Sequence, residues 1–168
     1  GETHQELGAS ELSYMLAEET GGGIGNDVPQ IDTTRNLTLY RALTAAMDKG
    51  LVRSAHDCSD GGLATAVAEC CFGCDGATTI NLDALTTNGT DGWGILFGES
   101  LGRILVSVKP EHTSEFEAAM VGNAIANIGM VGNEKTLKFT LDGKPILKAN
   151  LSKLLASWKD TLNMGGGH

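Results

Sequence analysis

The chain has 168 residues and 41% hydrophobic residues, enough for a domain that buries a working core. Twelve Lys and Arg against 21 Asp and Glu leave a formal net charge of −9, which argues against a protein that grips a nucleic-acid backbone. No apolar run approaches the ~18 residues of a membrane span, and residues 1–20 are too polar and acidic for a secretion signal.

In chain order, residues 9–19 read as a helix. Leu12, Met15 and Leu16 have the i, i+3, i+4 spacing, and Ser10 can cap the start. Residues 20–29, with Gly21-Gly22-Gly23-Ile24-Gly25, read as a flexible connection. The spacing predicts a helix over 33–49, with a stripe at Leu37, Tyr40, Leu43 and Met47 and an end at Gly50. A short strand, Leu51 to Ala55, leads into His56-Asp57-Cys58-Ser59-Asp60-Gly61-Gly62 and a helix to about Phe72. Residues 77–82 alternate as a strand does, 83–94 are rich in turn residues, and 95–100 fit a short helix or a turn.

Arg103 to Val108 reads as a strand buried on both faces. A helix over about 110–121 follows, with Pro110 in its first turn. Strands are expected at 124–131 and 136–141. Asp142-Gly143 reads as a hairpin turn, and Pro145 suits an edge in residues 145–149. A last helix over about 150–162 presents Leu151, Leu154, Leu155, Trp158 and Leu162. The expectation is an α/β (α+β-like) domain over residues 1–162, helices on one mixed sheet, with 163–168 a disordered tail. Glycine, at 23 of 168, is about twice its usual share. The absence of an initiator Met suits a piece of a longer protein.

Cys58, Cys70, Cys71 and Cys74 lie close together. Cys71 and Cys74 have a zinc-ligand spacing, but no second such pair completes a tetrahedral set. Cys70 and Cys71 fall on an apolar helix face, where free thiols act as small hydrophobes, and reduced thiols imply the cytoplasm.

The segment from Leu51 to Glu69 has the form strand, tight loop, helix. Two glycines at a helix start let backbone come close to a ligand, and a helix N-terminus favours anions. Bare carboxylates at Asp57 and Asp60 would repel a phosphate. That conflict resolves if Asp60 or Ser59 caps the helix and Asp57 holds Mg2+, bridging carboxylate and phosphate. The same residues also serve as ordinary turn and capping chemistry. His56 can act as a base, a ligand or a hydrogen-bonded structural group. Glu99 and Arg103, in Leu96-Phe97-Gly98-Glu99-Ser100-Leu101-Gly102-Arg103, can pair or meet a ligand.

GETHQELGASE at the start, HDCSDGGLATAVAE about fifty residues on and LFGESLGRILVSV after it resemble one family. They are similar to the C-terminal-type domain of the aminoimidazole ribonucleotide synthetase-like superfamily, and within it to the phosphoribosylformylglycinamidine synthases. The resemblance covers Gly1 to about Trp158. It implies a three-layer α/β/α domain with partial ferredoxin-like topology. It also implies a part in ATP-dependent conversion of formylglycinamide ribonucleotide to formylglycinamidine ribonucleotide with glutamine-derived ammonia, a step of purine biosynthesis. The implied cofactors are ATP or ADP and Mg2+.

The implied partners are an N-terminal ATP-binding domain of the same enzyme and a glutaminase domain or subunit, with neither nucleic acid nor membrane. By motif position Asp57 is the Mg2+ ligand, and Ser59, Asp60, Gly61 and Gly62 lie at the nucleotide phosphates. His56, Glu99 and Arg103 are further candidates. No catalytic group is expected in this chain, so alone it should be inactive, and a missing partner face would favour a homodimer. Two positions depart from the family pattern: Ala9 replaces a usual glycine, and Gly98 replaces a frequent serine. The alternatives are another ATP-dependent member of the superfamily, selenophosphate synthetase-like or hydrogenase maturation-like, or a non-catalytic binding module.

Overall fold

The computed structural model describes residues 1–74, 76–85, 87 and 89–160. Its elements are α1 (Glu11–Thr20), α2 (Thr33–Asp48), β1 (Val52–Asp57), α3 (Gly62–Cys74), β2 (Thr79–Asn81) and α4 (Gly92–Phe97). There follow β3 (Ile104–Val108), a 3-10 turn at Pro110–His112, α5 (Thr113–Ala119), β4 (Thr136–Leu141), β5 (Lys144–Asn150) and α6 (Leu151–Asp160). The class is α/β with a mixed sheet, as expected. Among the described residues pairing is divided over two sheets, β1-β3 antiparallel and β2-β4-β5 mixed. The expected tail at 163–168, the helix end at Leu162 and the Cys74 thiol lie outside the described residues.

The chain forms two compact units, one of residues 1–67 and 84–127, the other of 68–83 and 128–168. In the first, Leu39, Leu43 and Ala46 of α2 pack with Leu51, Phe116 and Met120. Ile104, Val106 and Val108 of β3 close on the same core. The buried stripe of α2 is therefore one residue away from the expected one. Only Leu43 is shared, while Leu37, Tyr40 and Met47 are exposed. Asp32 caps α2, its carboxylate accepting the Arg35 N–H at 2.9 Å. Strand β3 is half-buried throughout rather than buried on both faces. It has one partner strand, and alternate residues reach the core while Leu105 and Ser107 lie on the other face.

In the second unit Leu82, Leu137 and Phe139 are almost fully buried. Strands β2 and β4 run parallel, Ile80 opposite Phe139. Asp142 and Gly143 both take positive φ (51° and 67°), the conformation a two-residue hairpin needs. Pro145 sits on the edge strand, as expected.

The strand expected at 124–131 is irregular backbone. Gly129 there has φ 157° and no Cβ to hold a pleat, and Met130 and Val131 are about three-quarters exposed or more. The segment is mostly apolar, but Ile125, Met130 and Val131 stay exposed instead of entering a core. Among the described residues, no helix is long and apolar enough to cross a membrane.

Candidate functional site

Every residue of the candidate site lies in the first unit. His56 and Asp57 are the last residues of β1, opposite Leu105 and Ile104, rather than loop residues as the sequence suggested. A paired strand thus sets the Asp57 backbone. The Cys58 N–H then donates to the Arg103 carbonyl at 3.0 Å, fixing the chain just beyond the strand.

The Asp57 carboxylate is exposed and accepts a short hydrogen bond from the Ser59 hydroxyl. That hydroxyl, followed by the residue's own backbone N–H, holds the carboxyl below its ordinary value. The site therefore presents a firmly ionised oxygen ligand to solvent. His56 Nδ1 lies 2.6 Å from the Asp57 carbonyl, a contact that favours a proton on Nδ1.

Neither expected cap of α3 forms. The Ser59 hydroxyl is committed to Asp57, and the exposed Asp60 side chain makes no capping bond among the described residues. Instead the Ser59 carbonyl accepts the Gly62 N–H at 2.9 Å, and the Thr65 hydroxyl donates to the Gly61 carbonyl at 3.1 Å.

Gly61 and Gly62 both take left-handed backbone, φ 74° and 67°. A Cβ on Gly62 would lie 2.6 Å from the Gly98 carbonyl oxygen and 2.9 Å from that of Leu96. Its close approach is to the end of α4, so the sequence assigned this glycine's freedom to a ligand where the fold uses it for packing. The Gly61 N–H is also taken: it donates to Glu99 Oε1 at 2.8 Å.

Glu99 and Arg103 do not pair. The same Glu99 oxygen accepts the Glu11 N–H, in the first turn of α1, at 3.0 Å. Arg103 is buried and donates to the carbonyls of Gly98 and Ile95 at 3.0 and 2.9 Å, closing the C-terminal end of α4. Burial lowers its pKa. Beside it the Ser100 hydroxyl is buried and accepts the His4 N–H at 3.2 Å. Gln5 holds Asp91, the cap of α4, through its side-chain amide. These backbone partners carry no signature in the sequence. The α4 start had one, Asp91 before Gly92-Trp93, hidden in a turn-rich stretch.

The sequence model for the C-terminal domain of AIR synthase related proteins matches residues 3–142. The chain belongs to this family. Among solved structures it is similar to Thermotoga maritima PurL complexed with FGAR, at 19% identity and TM-score 0.76, covering 92% of this chain and 26% of that one. PurL of the same organism complexed with ATP matches at 18% identity and TM-score 0.68, covering 92% and 24%. Escherichia coli HypE, a hydrogenase maturation protein, matches at 21% identity and TM-score 0.59, covering 89% and 47%. At these identities the likeness is one of fold. The chain spans about a quarter of the PurL chains it matches.

The residues present fit Mg2+ in one respect. Asp57 and Ser59 offer oxygen donors, the kind Mg2+ takes, and Asp57 is ionised. Among the described residues no three His, Cys, Asp or Glu side chains converge.

Proposed function

We propose that the chain is the C-terminal domain of a phosphoribosylformylglycinamidine synthase, an ATP-dependent, glutamine amidotransferase-linked ligase that makes an amidine from a formamide. One observation carries this reading. The three segments on which the family resemblance rests meet at one carboxylate: Glu99 accepts N–H groups from Gly61 and from Glu11.

In this reading the Asp57 carboxylate would hold Mg2+, which would supply positive charge against the nucleotide phosphates. Ser59 keeps the carboxylate ionised and oriented, and the loop at Ser59–Gly62 sets how closely phosphate approaches. Asp60 stands exposed beside it. The nucleotide cradle and the groups that act on substrate come from an N-terminal ATP-binding domain of the same enzyme, and ammonia comes from a glutaminase domain or subunit. The coverage of a quarter of PurL supports those further parts. A cytoplasmic setting belongs to the same proposal. Tyr14, Met15 and Leu16 are exposed on α1, and self-association of the isolated chain through such a face belongs to the same proposal.

The test is ATP hydrolysis dependent on formylglycinamide ribonucleotide and ammonia. The purified 168-residue chain should show none, and the complete protein that carries it should turn over. Turnover by the isolated chain, or a complete protein indifferent to that ribonucleotide, would overturn the proposal. The second outcome would point to another member of the superfamily.

A further inference from the structure

The loop that carries Asp57 and Ser59 is held at two points, both supplied by the segment Gly98–Arg103. On the strand side the Cys58 N–H donates to the Arg103 carbonyl at 3.0 Å. On the helix side the Gly61 N–H donates to Glu99 Oε1 at 2.8 Å. Gly62 lies with its Cβ-less face against the backbone of Leu96–Gly98, so the loop cannot settle further onto that segment. The first anchor is backbone and does not depend on a side chain. The second depends on one side chain, and its oxygen is also fixed by the Glu11 N–H at 3.0 Å. Hydrogen bonds to an ionised carboxylate are stronger than those between neutral groups.

We infer that Glu99 is a positioning residue. Without touching the nucleotide, it holds the Cys58–Gly62 loop so that the Asp57 carboxylate and the Ser59 hydroxyl stay together at one place. This inference rests on the reading that Asp57 takes the metal of a Mg2+-nucleotide.

The experiment is equilibrium binding of Mn2+-ADP to the complete protein, followed by electron paramagnetic resonance of Mn2+. It compares the parent with Asp57→Asn, Glu99→Ala, Glu99→Gln and Glu99→Asp. Thermal melting without nucleotide checks the fold of each. Glu99→Ala should weaken binding roughly tenfold, the loss expected for a bond to a charged group. Glu99→Gln, whose amide oxygen can accept both N–H groups, should recover most of it. If Glu99→Ala does not fold, Glu99→Asp carries the test, because it withdraws the same charge by one methylene and should also weaken binding. Weak binding in Asp57→Asn with parental binding in Glu99→Ala or Glu99→Asp would overturn the inference and leave the functional proposal standing. Parental binding in Asp57→Asn would overturn the functional proposal and this inference with it.

Discussion

Ala9 holds left-handed backbone at φ 56°, a conformation that costs a residue with a Cβ roughly 1–2 kcal/mol. It stands where the family pattern has glycine, and its N–H donates to the Ile24 carbonyl at 2.8 Å, which keeps the turn in place. Ala9→Gly should therefore raise stability by about 1 kcal/mol in urea denaturation; an unchanged or lower midpoint would show that the strain is relieved elsewhere. Gly98 has the opposite logic. A Cβ there would lie 2.5 Å from the Gly94 carbonyl oxygen, so this chain's glycine fits the tight end of its own α4. At Asp57 the Ser59 hydroxyl lowers the folded-state pKa below the ordinary 3.8. The contribution of that bond to stability is then complete above about pH 3.8 and is lost as pH falls through the lower folded value. Ser59→Ala should move the Asp57 titration, read by carboxyl-carbon NMR, up toward 3.8. No movement would remove the hydroxyl as the cause.

Among the elements, the run from β1 through the loop to α3 was the most legible in the sequence. Asp-Gly-Gly after a short strand announces a tight strand-to-helix turn, and the helix begins at Gly62 as predicted. The role of the second glycine was not legible, because its neighbour is the backbone of Leu96–Gly98, remote in sequence. Gly62→Ala meets both a positive φ and that backbone. It should cost about 2–4 kcal/mol, measured by chemical denaturation, and a cost under ~0.5 kcal/mol would contradict the packing described. The other misreadings have the same origin. Leu37, Tyr40 and Met47 fit a helical stripe with Leu43, but the core takes Leu39 and Ala46 beside Leu43. Either set satisfies helical spacing, and only the position of Phe116 and Met120 chooses between them. Residues 124–131 are mostly apolar, as a buried strand is, but include Gly129 and the exposed Met130 and Val131.

For the whole molecule, α/β class and family were legible because three separated segments carry them together. The division of the pairing over two sheets was not, since strand partners are set by long-range packing. Asp57 and Ser59 lie side by side at the end of β1, which the segment His56–Gly62 announces, whereas the partners of Glu99 are backbone N–H groups, which no residue pattern displays. The central claim is that this domain lends Asp57 to a Mg2+-nucleotide held mainly by another domain. Isothermal titration of the complete protein with Mg2+-ADP tests it most directly. Asp57→Asn should weaken binding about tenfold or more while the melting temperature without nucleotide stays at the parental value. Parental affinity in a folded Asp57→Asn protein would contradict the account.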